Sequence, residues 1–418
     1  MIAGRCLRAA CWRLPARISC RPESASLLSP VQRRAGAPGG IRDLRRKKPG
    51  TGVPDASAAG RPAEDVNSPG MKEIAARVGV SKTTVHRALT GSGRVSPKTR
   101  ARILAIAAEL DYTPNTLARS LRRQRTGTLG VVTNGVSNSF YATLLAAIEE
   151  AASSQGFNLL LCCSGGNAEL ETEHLGLLRE KRVDGLLVAP SSSSANAAQF
   201  ERLRRGGFPF VFLDRTVPSV SADAVMTDHR LAGQLIGDHL VAAGRRRIGL
   251  IMPLDESFMS TSIRERIEGV CDIAKQCGVE VVRIGRERYW EPLEDYGSFC
   301  VSEFLDSGGM VDALVGMNDH VAIGALFACR SRGLRVPEDI AVTGYDDLDV
   351  SSFVTPRLTT IRQPTRQIAW EAVKLLMSRI GGGRADEAVT VRLRPILMER
   401  ESTPAVRRPV QLLPPDDA

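Results

Sequence analysis

Residues Met71–Leu89 read MKEIAARVGVSKTTVHRAL, and this run decides how the first folded part of the chain is built. Ile74, Ala75 and Val78 recur at helical spacing and make one apolar face. Gly79-Val80-Ser81 then interrupts the helix: glycine suits the left-handed position of a tight turn, and Ser81 can cap the helix that follows. Val85 and Ala88–Leu89 supply a second apolar face, which leaves Lys82, Thr83, Thr84, His86 and Arg87 on the outer side. All five can donate hydrogen bonds and none is acidic. Two short helices across a tight turn form a helix-turn-helix, whose second helix fits the major groove of DNA. The competing reading of the same residues is an ordinary helical hairpin with a basic, solvated face.

Downstream, Pro97–Leu110 reads as a third helix, with Ile103, Leu104, Ile106, Ala107 and Leu110 as its core positions. Upstream, residues 1–70 show no apolar period and are dense in Arg, Pro, Gly and Ala. They are expected to be either a disordered extension or, the favoured reading, upstream DNA translated from a start codon placed too early, with the true start near Val66 or Met71. The charge of the 418-residue chain follows the same division. Its 56 basic and 46 acidic side chains include 13 against 5 in residues 1–70 and 12 against 3 in residues 71–128. The remaining 290 residues therefore carry a net −7, so contact with a polyanion belongs to the front of the chain.

From Thr128 onward short apolar runs alternate with amphipathic helices. Strands are expected at Leu129–Thr133, Asn158–Cys163, Gly185–Ala189, Phe210–Leu213, Ala224–Thr227, Arg247–Met252, Val279–Ile284, Ala313–Gly316 and Ile340–Tyr345. Helices are expected at Tyr141–Gln155, Leu170–Lys181, His229–Ala243, Arg264–Gln276, Phe299–Ser307, Val321–Arg332 and Ile368–Ile380. The alternation predicts an α/β body of two doubly wound parallel-sheet lobes behind an all-α headpiece. Nine cysteines without a Cys-x-x-Cys pair fit free thiols in a reducing cytoplasm. The longest uncharged stretch, Thr126–Ile148, is broken by glycine and asparagine and is no membrane span. Gly165-Gly166-Asn167 is too short for a phosphate loop, and His174, His229, His239 and His320 are scattered. No catalytic constellation, metal set or cofactor motif is found, so no cofactor is expected.

The segments GVSKTTVHRAL, GRVSPKTRARILAIAAELDYTPN and ARSL, between Lys72 and Val132, resemble the DNA-binding headpiece of the LacI/GalR family of bacterial regulators. By that resemblance Lys82 and Thr83 read base edges, with Arg87 behind them on the same face, while Thr84 and Asn115 meet the DNA backbone. His86 stands where serine is commoner. Asn115–Arg122 would be a hinge helix, with Leu121 as a wedge in the minor groove and Arg119 and Arg122 bringing charge beside it. Leu117, Ala118 and Leu121 form an apolar stripe too narrow to fold alone, so the hinge should need a twin. A homodimer would present two reading helices roughly 34 Å apart to a near-palindromic site on double-stranded DNA.

The resemblance continues through SNSFYATLLAAIEEAA, RVDGLLVAPS, VFLDR, VGMNDHVAIGAL, GLRVPEDIAVTGYDD, PRLTTIRQP and MERES, to about residue 403. It implies a two-lobed effector domain like that of periplasmic sugar-binding proteins. The boundaries implied are a headpiece at 71–116, a hinge at 117–127, an effector and dimerisation domain at 128–403 and a tail at 404–418. Ligands of such folds bind outside the carboxyl ends of the strands. Phe140 and Tyr141, Asp214, Arg266 (in an Arg-x-x-Gly pattern with Gly269), Trp290, Asn318 and Asp319 are the candidate contacts. Trp290 could equally be core and Asp214 a turn cap. Aromatic faces with Arg and Asp suit a sugar or sugar acid, and the scaffold also serves purines and nucleosides. The function implied is a ligand-responsive transcriptional regulator, a repressor, in the cytoplasm. A solute-binding transport protein leaves the headpiece unexplained, and a sugar-metabolising enzyme lacks its nucleophile, metal set and phosphate loop.

Overall fold

The computed structural model describes residues 70–112, 125–137, 139–383 and 387–405. The extension, the hinge helix with Asn115, Arg119, Leu121 and Arg122, and most of the tail lie outside the described residues. The chain divides into two compact units, the first ending at Tyr112.

In the first unit three helices, α1 (Met71–Val78), α2 (Lys82–Thr90) and α3 (Pro97–Glu109), enclose Ile74, Ala75, Val78, Val85, Ala88, Ile103 and Ala107. Gly79 ends α1 in the left-handed conformation, and the Ser81 hydroxyl accepts from the Thr84 amide at 3.2 Å to start α2. Ser96 caps α3 in the same way, with Pro97 in the first turn. Leu104, expected in this core, is 48% exposed: with Ile103 and Ala107 inward, position 104 is turned about 100° toward solvent.

The second unit opens with a six-stranded parallel sheet. Its strands are β1 (Thr128–Thr133), β2 (Asn158–Cys163), β3 (Gly185–Val188), β4 (Phe210–Leu213), β5 (Asp223–Thr227) and β11 (Thr390–Leu393), in the order β11-β5-β4-β3-β1-β2. The two-residue period of the strands sorts side chains onto two cores. Leu129, Val131, Leu187, Val211 and Val225 face helices α4 (Ser139–Ser154) and α11 (Thr365–Ile380). Val132, Leu186, Val188, Phe212 and Ala224 face α5 (Ala168–Glu180) and α6 (Ala197–Arg205).

The second sheet is parallel in the order β7-β6-β8-β9, from β6 (Arg247–Ile251), β7 (Glu280–Ile284), β8 (Ala313–Gly316) and β9 (Ala341–Thr343). Helices α7 (His229–Ala242) and α8 (Thr261–Gln276) pack beside it, as do α9 (Leu293–Asp306) and α10 (Asp319–Ser331). The chain crosses between lobes three times: after β5, after β10 (Thr360–Arg362), and between β11 and β12 (Ile396–Met398), which pairs antiparallel with β10. The nine strands read from the sequence occur within a few residues of their expected bounds. Helix α9 begins six residues before Phe299, because Pro292 and the first-turn acids Glu294 and Asp295 start it. Strands β10, β11 and β12 and helix α6 were not anticipated.

Candidate functional site

On α2, Lys82, Thr83 and Arg87 are exposed while Thr84 and His86 are half-buried. The Thr84 hydroxyl lies 2.9 Å from that of Ser81, so it is partly committed to the cap. Neither α2 nor α3 carries an acid in its first turn. The partial positive charge of both helix N-termini is therefore left for an anionic partner, and phosphate is such a partner.

The second site lies between the lobes of the second unit, at the carboxyl ends of both sheets. Its cavity, about 460 Å³, is lined from the first lobe by Asn134, Ser137, Phe140, Tyr141, Gly165, Gly166, Ser191, Ser192, Asp214 and Arg215. The second lobe contributes Phe258, Ser260, Ser262, Arg266, Tyr289, Glu291, Met317, Asn318 and Asp346. That volume suits a ligand of monosaccharide to nucleoside size.

Asp214 follows β4 with φ +62°, a left-handed conformation that aspartate tolerates. Its carboxylate accepts from the Tyr141 hydroxyl at 3.0 Å and from Arg215 Nε at 3.3 Å. Burial works against its charge, yet the His229 hydrogen bond and the Arg215 and Arg266 guanidinium groups outweigh that effect and hold the carboxyl below the usual carboxylate range. His229 is fully buried, with Nε2 2.8 Å from the Asp214 carbonyl and Nδ1 2.8 Å from the Tyr345 hydroxyl. A carbonyl can only accept, so Nε2 carries the proton and Nδ1 accepts from Tyr345. Burial lowers the His229 pKa and keeps the ring neutral.

Arg266 sits above this network. Its Nη1 donates to the Met317 carbonyl at 2.9 Å, and its guanidinium lies 3.5 Å from the centre of the Tyr345 ring, a stacked cation–π contact. The Arg-x-x-Gly pattern gains a mechanical meaning here. A Cβ on Gly269 would fall 2.1 Å from the Arg230 carbonyl oxygen, and one on Gly233 would fall 2.1 Å from that of Arg266. Only a glycine pair lets α7 and α8 touch backbone to backbone, and that contact sets the height at which Arg266 enters the cleft.

Five candidate contacts thus come together on the cavity: Phe140, Tyr141, Asp214, Arg266 and Asn318. Two are placed elsewhere. Trp290 packs edge-on against Tyr296 (4.9 Å) and Phe299 (5.5 Å), while its neighbours Tyr289 and Glu291 line the cleft. Asp319 is wholly buried, and its carboxylate accepts from the Leu348 amide and the Ser351 and Thr360 hydroxyls at 2.7, 2.7 and 2.5 Å. It ties the start of α10 to the segments beside the lobe crossing. Burial pushes its pKa up to about 6, against those three donors. Replacing it with leucine strands three buried donors, and Asp319→Leu is expected to cost about 3–5 kcal/mol in urea unfolding, Asp319→Asn far less.

Sequence reading missed several cleft residues. Asp346 follows β9 as Asp214 follows β4, and the same strand-end rule applied to GYDD would have found it. Its φ is +114°, and its carboxylate accepts from Gln363 Nε2 at 2.7 Å. Burial, with Asp319 and Asp214 nearby, pushes its pKa up to about 8 although Arg266 and Gln363 oppose this. Arg215 and Ser191 also line the cavity. Among the described residues, Asn134 Oδ1 and Ser191 Oγ are buried there without a hydrogen-bond partner, while Asp214 Oδ1 has His229 Nε2 at 3.4 Å and Arg266 Nη2 at 3.8 Å. Such atoms favour a ligand rich in hydroxyl donors.

Residues 70–115 match the family described as bacterial regulatory proteins, lacI family, and residues 126–406 match periplasmic binding proteins and sugar binding domain of LacI family. The ribose operon repressor of Escherichia coli K12 is 33% identical over 333 residues, 79% of this chain and 99% of that protein. The lac repressor dimer, solved bound to operator and the anti-inducer ONPF, is 28% identical with a TM-score of 0.71, over 80% of this chain and 99% of that one. A LacI family regulator from Enterococcus faecium, solved with bound ribose, is 30% identical with a TM-score of 0.57, over 66% of this chain and 98% of that one.

Proposed function

The chain belongs to the LacI family of bacterial regulators, and from that premise we propose a cytoplasmic, homodimeric repressor whose affinity for its operator is set by a monosaccharide or sugar acid in the interlobe cleft. It is a DNA-binding transcriptional regulator; the residue roles and the ligand class are what the proposal adds. Lys82, Thr83 and Arg87 read base edges, Thr84 and His86 lie toward the phosphates, and Asn115, Arg119, Leu121 and Arg122 serve the hinge. Phe140 and Tyr141 offer aromatic edges and faces to a sugar ring. Asp214, Arg266, Asn318 and Asp346 offer acceptors and donors to its hydroxyls.

The observation that carries the ligand class is the cavity's polar make-up: unpartnered acceptors on Asn134 and Ser191 beside the Asp214 carboxylate and a fixed guanidinium. A nucleobase presents its few N–H donors in one plane at the ring edge, whereas a sugar presents hydroxyls all around its ring. Closure on the ligand would shift the hinge and so couple the two sites. The test is a thermal-shift panel of pentoses, hexoses, their acids and nucleobases. Hits are then assayed for release or tightening of a duplex selected from a randomised pool. Stabilisation by a sugar or sugar acid, with changed duplex affinity, is expected; stabilisation by a nucleobase alone would overturn the ligand class. Duplex affinity is also expected to fall steeply between 50 and 200 mM salt, about a thousandfold for six phosphate contacts.

A further inference from the structure

We propose that Gly93 is a positioning residue for base recognition, acting through Arg87. The turn after α2 runs Gly91-Ser92-Gly93, with both glycines left-handed at φ +72° and +74°. They differ in what surrounds them. A Cβ built on Gly91 meets nothing within 4 Å, whereas one on Gly93 falls 3.0 Å from Arg87 Cδ, 3.3 Å from Nε and 3.4 Å from Cγ. The Arg87 stem lies across the bare α-carbon of Gly93 as on a shelf. Among the described residues its guanidinium makes no hydrogen bond or ion pair. The side chain is thus oriented by packing alone and its fork is left unspent. Bidentate recognition of a guanine edge needs that fork in one plane and at one depth. A methyl group at position 93 pushes on the stem just behind the fork, so it acts on which base is read rather than on whether the headpiece folds.

The inference rests on Arg87 reading bases, and the experiment separates the two. Full-length wild type, Gly91→Ala, Gly93→Ala, Arg87→Ala and the Arg87→Ala/Gly93→Ala pair each select duplexes from a randomised pool, and the bound sequences are counted. The two glycine variants carry the same left-handed strain, so their difference isolates contact with Arg87. Arg87→Ala is expected to erase a guanine preference at one symmetric pair of positions. Gly93→Ala is expected to weaken that preference about tenfold, Gly91→Ala to keep it, and the double variant to match Arg87→Ala alone. If Arg87→Ala changes no preference, the role of Arg87 fails. If it does and Gly93→Ala selects like Gly91→Ala, the shelf is wrong. Should Gly93→Ala not fold, judged by circular dichroism, Gly93→Asn replaces it: asparagine tolerates positive φ yet still carries the Cβ.

Discussion

Asp346→Asn is expected to make the protein more stable and a worse sensor at once. The carboxyl is buried among acids, its pKa pushed up to about 8. The folded state therefore binds this proton more tightly than the unfolded chain, where an ordinary aspartate titrates near 3.9. The contribution to stability is complete below about pH 4 and is lost as pH rises through about 8, at most on the order of 5 kcal/mol. Asparagine has no such proton to lose and can still accept from Gln363. The stability advantage of the variant is expected to be small at pH 5 and to grow to several kcal/mol by pH 8, measured by urea unfolding across that range. A constant advantage would sink the argument. The same substitution removes a carboxyl that a ligand hydroxyl can ionise and bond to in the cleft, and effector affinity is expected to drop about tenfold or more. In the wild type, a ligand hydroxyl donated to Asp346 favours its ionised form. Binding near pH 7 should release a proton, visible as a calorimetric heat that changes with the buffer's ionisation enthalpy.

Arg266→Ala is expected to produce a regulator that still holds its operator but no longer responds to the effector. The guanidinium touches the Met317 carbonyl, His229 Nδ1 and the Tyr345 ring together, with Asp214 Oδ1 3.8 Å away. Removing it deprives a ligand of a fixed charged donor, a loss of about ten- to a hundredfold in affinity. It also leaves Asp214 with less compensating charge. Arg266→Lys keeps that charge but cannot lie flat on Tyr345 while reaching both acceptors, so it is expected to recover stability more than affinity. Titration calorimetry with the ligand identified in the thermal-shift panel measures the first effect, and a mobility shift of the selected duplex measures the second. Wild-type affinity in the alanine variant would remove Arg266 from the site.

What the sequence discloses here follows the range of the interactions involved. The helix-turn-helix was legible because its signals are local: Gly79, Ser81 and the faces of two short helices lie within 19 residues. The buried strands were legible for a similar reason, as unbroken apolar runs such as Phe210–Leu213 between turns. Strands β10 and β12 were not, because each has three residues, and they exist only through pairing Thr360 with Met398 across the chain. The candidate site shows the same contrast. Asp214 and Asn318 could be found because they lie within two residues of a strand's carboxyl end. Asp319 follows one too, but its carboxylate answers to Ser351 and Thr360, 32 and 41 residues away, and that pairing draws it into the interior. Trp290 was misplaced because the orientation of its ring depends on Tyr296 and Phe299, neither of which signals the cleft.

The late return of the chain to its first sheet has a consequence for synthesis. The edge strand β11 and the covering helix α11 come from residues 365–393, yet they complete a sheet whose other strands end at Thr227. Until the ribosome has passed them, Leu129, Val131, Val211 and Val225 have only part of their cover. The headpiece is under no such delay, since its core closes within residues 71–112. A nascent chain therefore carries a finished reading helix while its sensing domain is still an open sheet. Messages broken before codon 365 would yield fragments that aggregate or are degraded, rather than shortened regulators blind to the effector.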